Sequence, residues 1–238
     1  APLAVEAGAD MIVVQGTVVT ARHSSKSLKG LVFADLIKDL DVPVLVGNTV
    51  SYEVTKELMQ QGIAGVMVGV GPGSVCTSRE VLGIGIPQVS ATIECAAARD
   101  DYFKETGKYI PIITDGGIRT GGDVCKSFAA GANAVMIGSP FAKTEEAPAK
   151  GFHWGMAAWH DSLPRGTRIN MGTEYSLHQL LYGPSSRTDG TLNLVGALQI
   201  CMGYVGAENI REMNKARMVY APAIKTEGKI YQQAGLGS

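Results

Sequence analysis

No surplus of charge marks this sequence: across 238 residues, 21 Lys and Arg stand against 22 Asp and Glu, a formal net charge of -1. A nucleic-acid binder draws most of its affinity from neutralising phosphates and shows a basic stripe, so a nucleic-acid partner is not expected. Acidic and basic tails are missing too. No apolar run approaches the ~18 to 20 residues that cross a bilayer, which argues against a membrane partner. The opening PLAVEAGAD has neither the positive region nor the apolar stretch of a secretory leader. Cysteine is sparse, and Cys76, Cys95, Cys125 and Cys201 sit far apart with no C-x-x-C pair. Neither a disulfide framework nor a zinc site is indicated, and a cytoplasmic, reducing compartment is expected. Charged residues make up only 18%, below the roughly 25% of an average domain, which points to a large interior and buried subunit contacts. Glycine is what the chain has in excess: 30 residues, nearly twice the usual share of roughly 7%. Glycine at this density signals tight turns and close backbone approach to a ligand.

Short β-branched runs alternate with longer segments of helical periodicity. Strands are predicted in MIVVQGT (11–17), VPVLVGN (42–48), GVMVGV (65–70), PIITDGG (111–117) and AVMIGS (134–139), with helices over 31–40, 51–62, 90–107 and 121–132. This alternation is the pattern of a parallel sheet covered by helices, and the fold class is α/β. Every predicted strand ends in a Gly-rich or polar cluster. That favours a (β/α)8 TIM barrel, whose strand ends converge on one site, over an open sheet that uses mainly its switch point. A whole barrel needs about 250 residues. The five visible strands therefore read as the C-terminal units of a single catalytic barrel domain (1–238), truncated at its N-terminus by about three units. Residues 143–195 are turn-rich and predict an active-site loop excursion, 196–218 resume helical spacing, and 219–238 form a polar tail.

Two constellations carry chemistry. In VGVGPGSVCTSRE (68–80), Gly71 and Gly73 let backbone amides and carbonyls approach an ion, and Ser74 can donate to a phosphate oxygen. Cys76 follows on a loop at the carboxyl edge of the sheet, the setting of a nucleophile rather than of a buried thiol. Cys95, Cys125 and Cys201 lie within apolar helical patterns and read as core. In TDGGIRTGGDVCKSFAAGANAVMIGSPFA (114–142), a strand ending in Asp115-Gly116-Gly117 and a second ending in Gly138-Ser139 form a two-loop phosphate cradle. Asp115 is placed to accept from ribose hydroxyls. The pattern implies a phosphorylated ligand and leaves its identity open. His153, Trp154, Trp159 and His160 cluster near Gly155-Met156, and His23 follows the first strand.

GPGSVCTS, TDGGIRTGGDV, NAVMIGSPFAKTEEAP and WGMAA together resemble the catalytic barrel of the IMP dehydrogenase and GMP reductase family, over about residues 4 to 215. The likeness is greatest to the IMP dehydrogenase-related subgroup without the CBS insert. The resemblance implies a homotetrameric barrel acting on a purine nucleoside monophosphate with NAD or NADP. It implies that Cys76 adds to carbon 2 of the purine to give a thioimidate, flanked by Thr77 and Ser78 as further catalytic candidates. Ser74, Gly117, Gly138 and Ser139 would bind the phosphate, Asp115 the ribose, and Gly155 and Met156 the base, with Gly116 a further substrate-binding residue. Gln15, Gly16 and Asn48 would lie at the nicotinamide, and the carbonyls of Gly71, Gly73 and Cys76 would hold a monovalent cation, potassium.

Departures from the family pattern decide the expected direction. Ser78 stands where most members carry threonine, and Gln15 where dehydrogenases carry an aspartate. The chain passes from Met156 to Pro164-Arg165-Gly166 without the long flap, or its Arg-Tyr pair, that activates water in the dehydrogenases. Arg165 stands near the place of a family glutamate, and Glu174 is the carboxylate that follows. GMP reductase (GMP and NADPH to IMP, NADP and ammonia) is therefore expected ahead of IMP dehydrogenase (IMP and NAD to XMP and NADH). The remaining alternatives are an FMN-dependent barrel oxidoreductase, whose phosphate loops look similar, and an inactive nucleotide-binding homologue.

Overall fold

The computed structural model describes residues 1–16, 19–21, 30–155 and 168–220. The five predicted strands are present as Ile12–Gln15 (β1), Val44–Thr49 (β2), Gly65–Val68 (β3), Ile112–Asp115 (β4) and Ala134–Met136 (β5). They form one parallel sheet in the order β1-β2-β3-β4-β5. Sequential order with right-handed crossovers puts every connecting helix on the same face, which is the arrangement of a barrel wall. A doubly wound sheet instead reverses direction at a switch point. Curvature is visible in one contact: Gln15 Nε2 donates to Asp115 Oδ2 at 2.6 Å, although β1 and β4 would lie about 14 Å apart in a flat sheet at ~4.8 Å per strand.

The helices from the start of the chain through β5 and its loop are Pro2–Glu6 (α1), Phe33–Lys38 (α2), Tyr52–Gln60 (α3), Ser78–Leu82 (α4), Gln88–Thr106 (α5), Gly121–Ala129 (α6) and Ser139–Ala142 (α7). The ends obey local chemistry. Ser51 accepts from the Val54 amide at 3.4 Å at the start of α3, Thr120 and Asp123 form a reciprocal capping box at the start of α6, and α5 stops at Gly107 with φ 71. AVMIGS proves shorter as a strand than expected: β5 ends at Met136, and Ser139 opens α7, with Pro140 inside its first turn.

Helix-facing strand residues alternate with barrel-facing ones. Val44, Val46, Val66, Val68 and Ile112 face the helices and join Leu58, Met59, Ala91 and Cys95 in one buried cluster. Each such valine contributes about 1.5 to 3 kcal/mol by leaving water. A second cluster gathers Val124, Cys125 and Phe128 of α6 with Tyr175, Leu180, Leu194 and Met213. These last four come from the C-terminal region, which holds a short antiparallel pair, Phe152–Trp154 (β6) with Arg168–Asn170 (β7), and the helices Leu177–Tyr182 (α8), Leu194–Val205 (α9) and Ile210–Met213 (α10). The helical pattern expected over 196–218 is thus two helices, interrupted where Gly206 adopts φ 72. On the inner face of the two edge strands, Val13 and Met136 remain exposed.

Candidate active site

The loop after β3 turns back on itself: the Cys76 amide donates to the Gly73 carbonyl at 3.1 Å. Thr77 precedes α4 as its N-cap, and Ser78, the first residue of that helix, is buried. The loop after β4 locks against it. Gly116 and Gly117 have φ of 93 and 79, a region that costs an L side chain dearly. A Cβ on Gly116 would stand 2.9 Å from Pro72 Cγ, so the paired glycines answer both a conformational and a steric demand. Folding in this way brings the cysteine loop beside the Asp115 loop.

Asp115 ends β4 within a network of neutral amides. Gln15 Nε2 and Asn48 Nδ2, at 2.6 and 2.9 Å, both donate to its Oδ2. Gln15 Nε2 also donates to Asn48 Oδ1 at 2.9 Å, and Asn48 Nδ2 to the Gly69 carbonyl at 2.8 Å. Burial pushes the Asp115 carboxyl above its ordinary range, and the Asn48 and Gln15 bonds pull it partly back. Gly16 exchanges backbone bonds with Gly47 and Asn48 at 2.8 and 3.1 Å. The residues that the resemblance assigned to the nicotinamide pocket therefore also hold the ribose-type acceptor. Sequence reading treated Gln15 as a lost charge; its amide is a positioning group.

Ser74 Oγ, after β3, hydrogen-bonds Ser139 Oγ, after β5. Ser139 Oγ is in turn 3.0 Å from His153 Nδ1 on β6. The two loops of the expected cradle thus meet through their serines, and β6 closes over them. Gly155 lies against the Val75 carbonyl, 3.1 Å from where its Cβ would stand. Burial holds the His153 imidazole below its ordinary pKa.

These groups line one cavity of about 340 Å³, within the usual range for small-molecule sites. Its wall includes Gln15, Gly16 and Asn48; Gly71, Gly73, Ser74, Cys76, Thr77 and Ser78; Asp115, Gly116 and Gly117; and Gly138, Ser139 and Gly155. Of the expected site residues, Met156 lies outside the described residues, as do His23, Trp159, His160, Arg165 and the tail from 221. Arg119, His153 and Trp154 also line the cavity. Cys95 is buried, accepts from Thr55 Oγ1 at 3.1 Å, and has its thiol pushed up to about 12 by burial. Cys125 is raised likewise, by burial and by Cys201 beside it. Glu174 is not on the cavity wall: Lys143 at 2.6 Å and Arg187 at 3.0 Å hold it ionised, with its pKa lowered by those bonds.

Comparison with known proteins places this geometry in a family. Residues 1–161 match the IMP dehydrogenase / GMP reductase domain. An oxidoreductase of uncharacterized role from Mycolicibacterium smegmatis is 42% identical over 218 residues, covering 90% of this chain and 58% of that protein. Inosine-5'-monophosphate dehydrogenase from Aquifex aeolicus is 40% identical over 232 residues, covering 90% and 45%. The crystal structure of an IMP dehydrogenase/GMP reductase-like protein from Corynebacterium glutamicum superposes with a TM-score of 0.84 at 37% identity, covering 92% of this chain and 57% of that one. The chain therefore spans about half the length of the relatives it matches. It belongs to the IMP dehydrogenase / GMP reductase family, and its sheet is five strand-helix units of that family's barrel.

Proposed function

We propose that this member of the IMP dehydrogenase / GMP reductase family acts at carbon 2 of a purine nucleoside monophosphate, in the reductive direction, converting GMP and NADPH to IMP, NADP and ammonia. One observation carries the reading: a cysteine thiol, a carboxylate held by two amides, and a pair of serine hydroxyls share the wall of a single cavity. Ser74 and Ser139 take the phosphate together with the amides of Gly116, Gly117 and Gly138, and Asp115 accepts from the ribose. That grip fixes the ring against Cys76, so the entropy of approach is met by binding rather than by the chemical step.

Cys76 Sγ bonds to carbon 2 as the ring carbon–nitrogen double bond opens and its pair passes to the ring nitrogen. The amino group, once protonated, leaves as ammonia with the pair of its own bond, and the ring nitrogen's pair re-forms the double bond, giving a thioimidate. When carbon 2 has received hydride, the carbon–sulfur bond breaks, its pair returns to Cys76, and IMP is released. Covalent capture divides one difficult exchange into two easier ones. A nicotinamide cofactor supplies the hydride when bound. Gln15, Gly16 and Asn48 would line its pocket, and their neutral amide and peptide groups suit an uncharged carboxamide. Thr77 and Ser78 flank the nucleophile, and Gly155 and Met156 would contact the base. The carbonyls of Gly71, Gly73 and Cys76 would hold potassium. A homotetramer in the cytoplasm completes the proposal.

The short passage from Met156 to Pro164, with no Arg-Tyr pair, supports the reductase, because hydrolysis of the intermediate is the step a flap would serve. The second reading, IMP dehydrogenase, is favoured by the identity to proteins of that name from Aquifex aeolicus and Cryptosporidium parvum. The full chain with GMP and NADPH in one cuvette, and with IMP and NAD in another, separates them by nicotinamide absorbance. Loss in the first with no gain in the second supports the reductase; the converse reverses the direction, and silence in both with nucleotide bound indicates an inactive homologue. Flavin absorbance in the purified protein would revive the FMN alternative.

A further inference from the structure

We propose that Arg79 is the positioning residue of the nucleophile: threaded between Gly71 and Gly85, it braces the two arms of the loop that carries Cys76 and so aims the thiol at the bound nucleotide. The inference rests on the reading of Cys76 as the nucleophile of a nucleotide site and adds the group that holds it in place.

The chain leaves β3 after Val68, carries Cys76, forms α4 and comes back to the end of the same strand. At the base of this loop the Ile86 amide donates to the Val70 carbonyl at 3.4 Å, and Gln88 Nε2 donates to the Val68 carbonyl at 2.6 Å. Between those ties stand Gly71, Gly73, Gly83 and Gly85, and a backbone so rich in glycine does not hold a shape by itself. Arg79 supplies the missing constraint. It sits in the first turn of α4, directly after Thr77 and Ser78. A Cβ on Gly71 would stand 2.7 Å from Arg79 Cγ, and a Cβ on Gly85 would stand 2.7 Å from the same atom. Neither glycine can carry a side chain while the arginine lies between them. Beyond that slot, Arg79 Nη2 donates to the Ile86 carbonyl at 2.8 Å. One side chain, rooted in the helix that follows the nucleophile, therefore meets both the outgoing and the returning arm.

Gly85 is the informative member of the pair. Gly71 has φ 84 and needs glycine for its conformation alone, whereas Gly85 has no positive φ. Nothing in its own backbone calls for glycine; the room that Arg79 occupies does. The arginine is exposed, yet among the described residues no carboxylate lies in salt-bridge range of it. Its donors are directed at the loop rather than at an ion pair. Attack on carbon 2 depends on where Sγ stands, and a misplacement of about 1 Å costs a reaction about a hundredfold. Most of the grip on the nucleotide, from Asp115, Gly117, Gly138 and Ser139, stands on other loops. Loss of Arg79 should therefore be felt in the chemical step more than in binding.

The test joins three measurements on the full chain and its Arg79→Ala, Arg79→Lys, Gly85→Ala and doubly substituted Arg79→Ala/Gly85→Ala variants. They are turnover with the productive nucleotide, calorimetric affinity for GMP, and iodoacetamide labelling of Cys76 with and without GMP, read by peptide mass spectrometry. In wild type, GMP at roughly ten times its Kd should slow labelling about tenfold, since only the free site reacts. In Arg79→Ala that protection should fall to about twofold and kcat by about ten- to a hundredfold. GMP affinity should stay within a few-fold, and Cys95 should remain unlabelled, which shows that the variant is folded. Arg79→Lys keeps a stem in the slot and a donor for the Ile86 carbonyl, and should recover most of both losses. Gly85→Ala should behave like Arg79→Ala on its own but add little in the double variant, where the slot is already empty; such non-additivity marks shared space. Unchanged kcat and protection in Arg79→Ala overturn the inference. So do additive losses in the double variant, and so does a fall in GMP affinity as large as the fall in kcat, which would make Arg79 a prop for the whole cavity. If GMP neither binds wild type nor protects its Cys76, the nucleotide reading fails and the inference with it; protection that is present in wild type and survives in Arg79→Ala fails the inference alone.

Discussion

Replacing Gln15 by leucine removes one of the two amide donors on Asp115 Oδ2 while nearly preserving volume. Asp115 is buried with a raised pKa, and its ionised form depends on Asn48 and Gln15. A hydrogen bond to a charged group contributes about 1.5 to 3 kcal/mol. Its loss makes ionisation of the folded-state carboxyl harder by about ten- to a hundredfold, at roughly 1.4 kcal/mol per tenfold. The sign follows from linkage. Because the folded protein holds this proton more tightly than the unfolded chain, stability is full below the unfolded pKa, falls as pH rises to the folded pKa, and is level above it. Gln15→Leu widens that window upward, so its stability deficit relative to wild type should be small in acid and reach about 1.5 to 3 kcal/mol at neutral pH. Function should follow: the acid limb of kcat/KM for the nucleotide moves to higher pH, because only the carboxylate accepts two ribose hydroxyls. Denaturant unfolding across pH and a pH–rate profile measure the two effects. Superimposable acid limbs for wild type and variant, or a deficit that is largest in acid, would refute the account of Gln15 as the group that keeps Asp115 ionised.

Cys76→Ala should abolish turnover in either direction while leaving nucleotide affinity, by calorimetry, within a few-fold of wild type, since the thiol forms a bond only in the chemical step. Ser139→Ala should weaken nucleotide binding by about tenfold or more, consistent with about 1.5 to 3 kcal/mol for a hydrogen bond to charge, and should leave guanosine binding unchanged. In alkylation with an iodoacetamide reagent at mildly alkaline pH, followed by peptide mass spectrometry, Cys95 should stay unlabelled until the protein unfolds, because its thiol is pushed up to about 12 and buried. Glu174→Gln should leave turnover intact while removing the pairs with Lys143 and Arg187, with a stability cost of about 1 kcal/mol or less for such half-exposed ion pairs.

Much of the fold was legible because a parallel strand buried on both faces has to be continuously apolar and has to end where the backbone turns toward the site. Val44 to Asn48 and Gly65 to Val70 display both properties in a handful of residues. The C-terminal half of the cavity wall was harder to see. Strands of three residues, such as Phe152–Trp154 and Arg168–Asn170, are too short for a period of two to declare itself. Helix α8 carried a signal that went unread, the capping box of Ser176 and Gln179. The contact of Gln15 with Asp115 was out of reach for a different reason. The two lie 100 residues apart, and no local pattern encodes a contact that the curvature of the sheet creates.

That curvature also explains how the carboxylate of the site is tuned. A barrel wall gathers the ends of distant strands within hydrogen-bonding range, so each titratable group is tuned by a residue from another unit. Asp115 of β4 answers to Gln15 of β1 and Asn48 of β2. Neither contact adds a second formal charge. Neutral amides favour the ionised form of a buried carboxylate without the desolvation cost of bringing in a cation, so the balance between burial, which raises the Asp115 pKa, and the two amides, which lower it, is set by residues of three different strands.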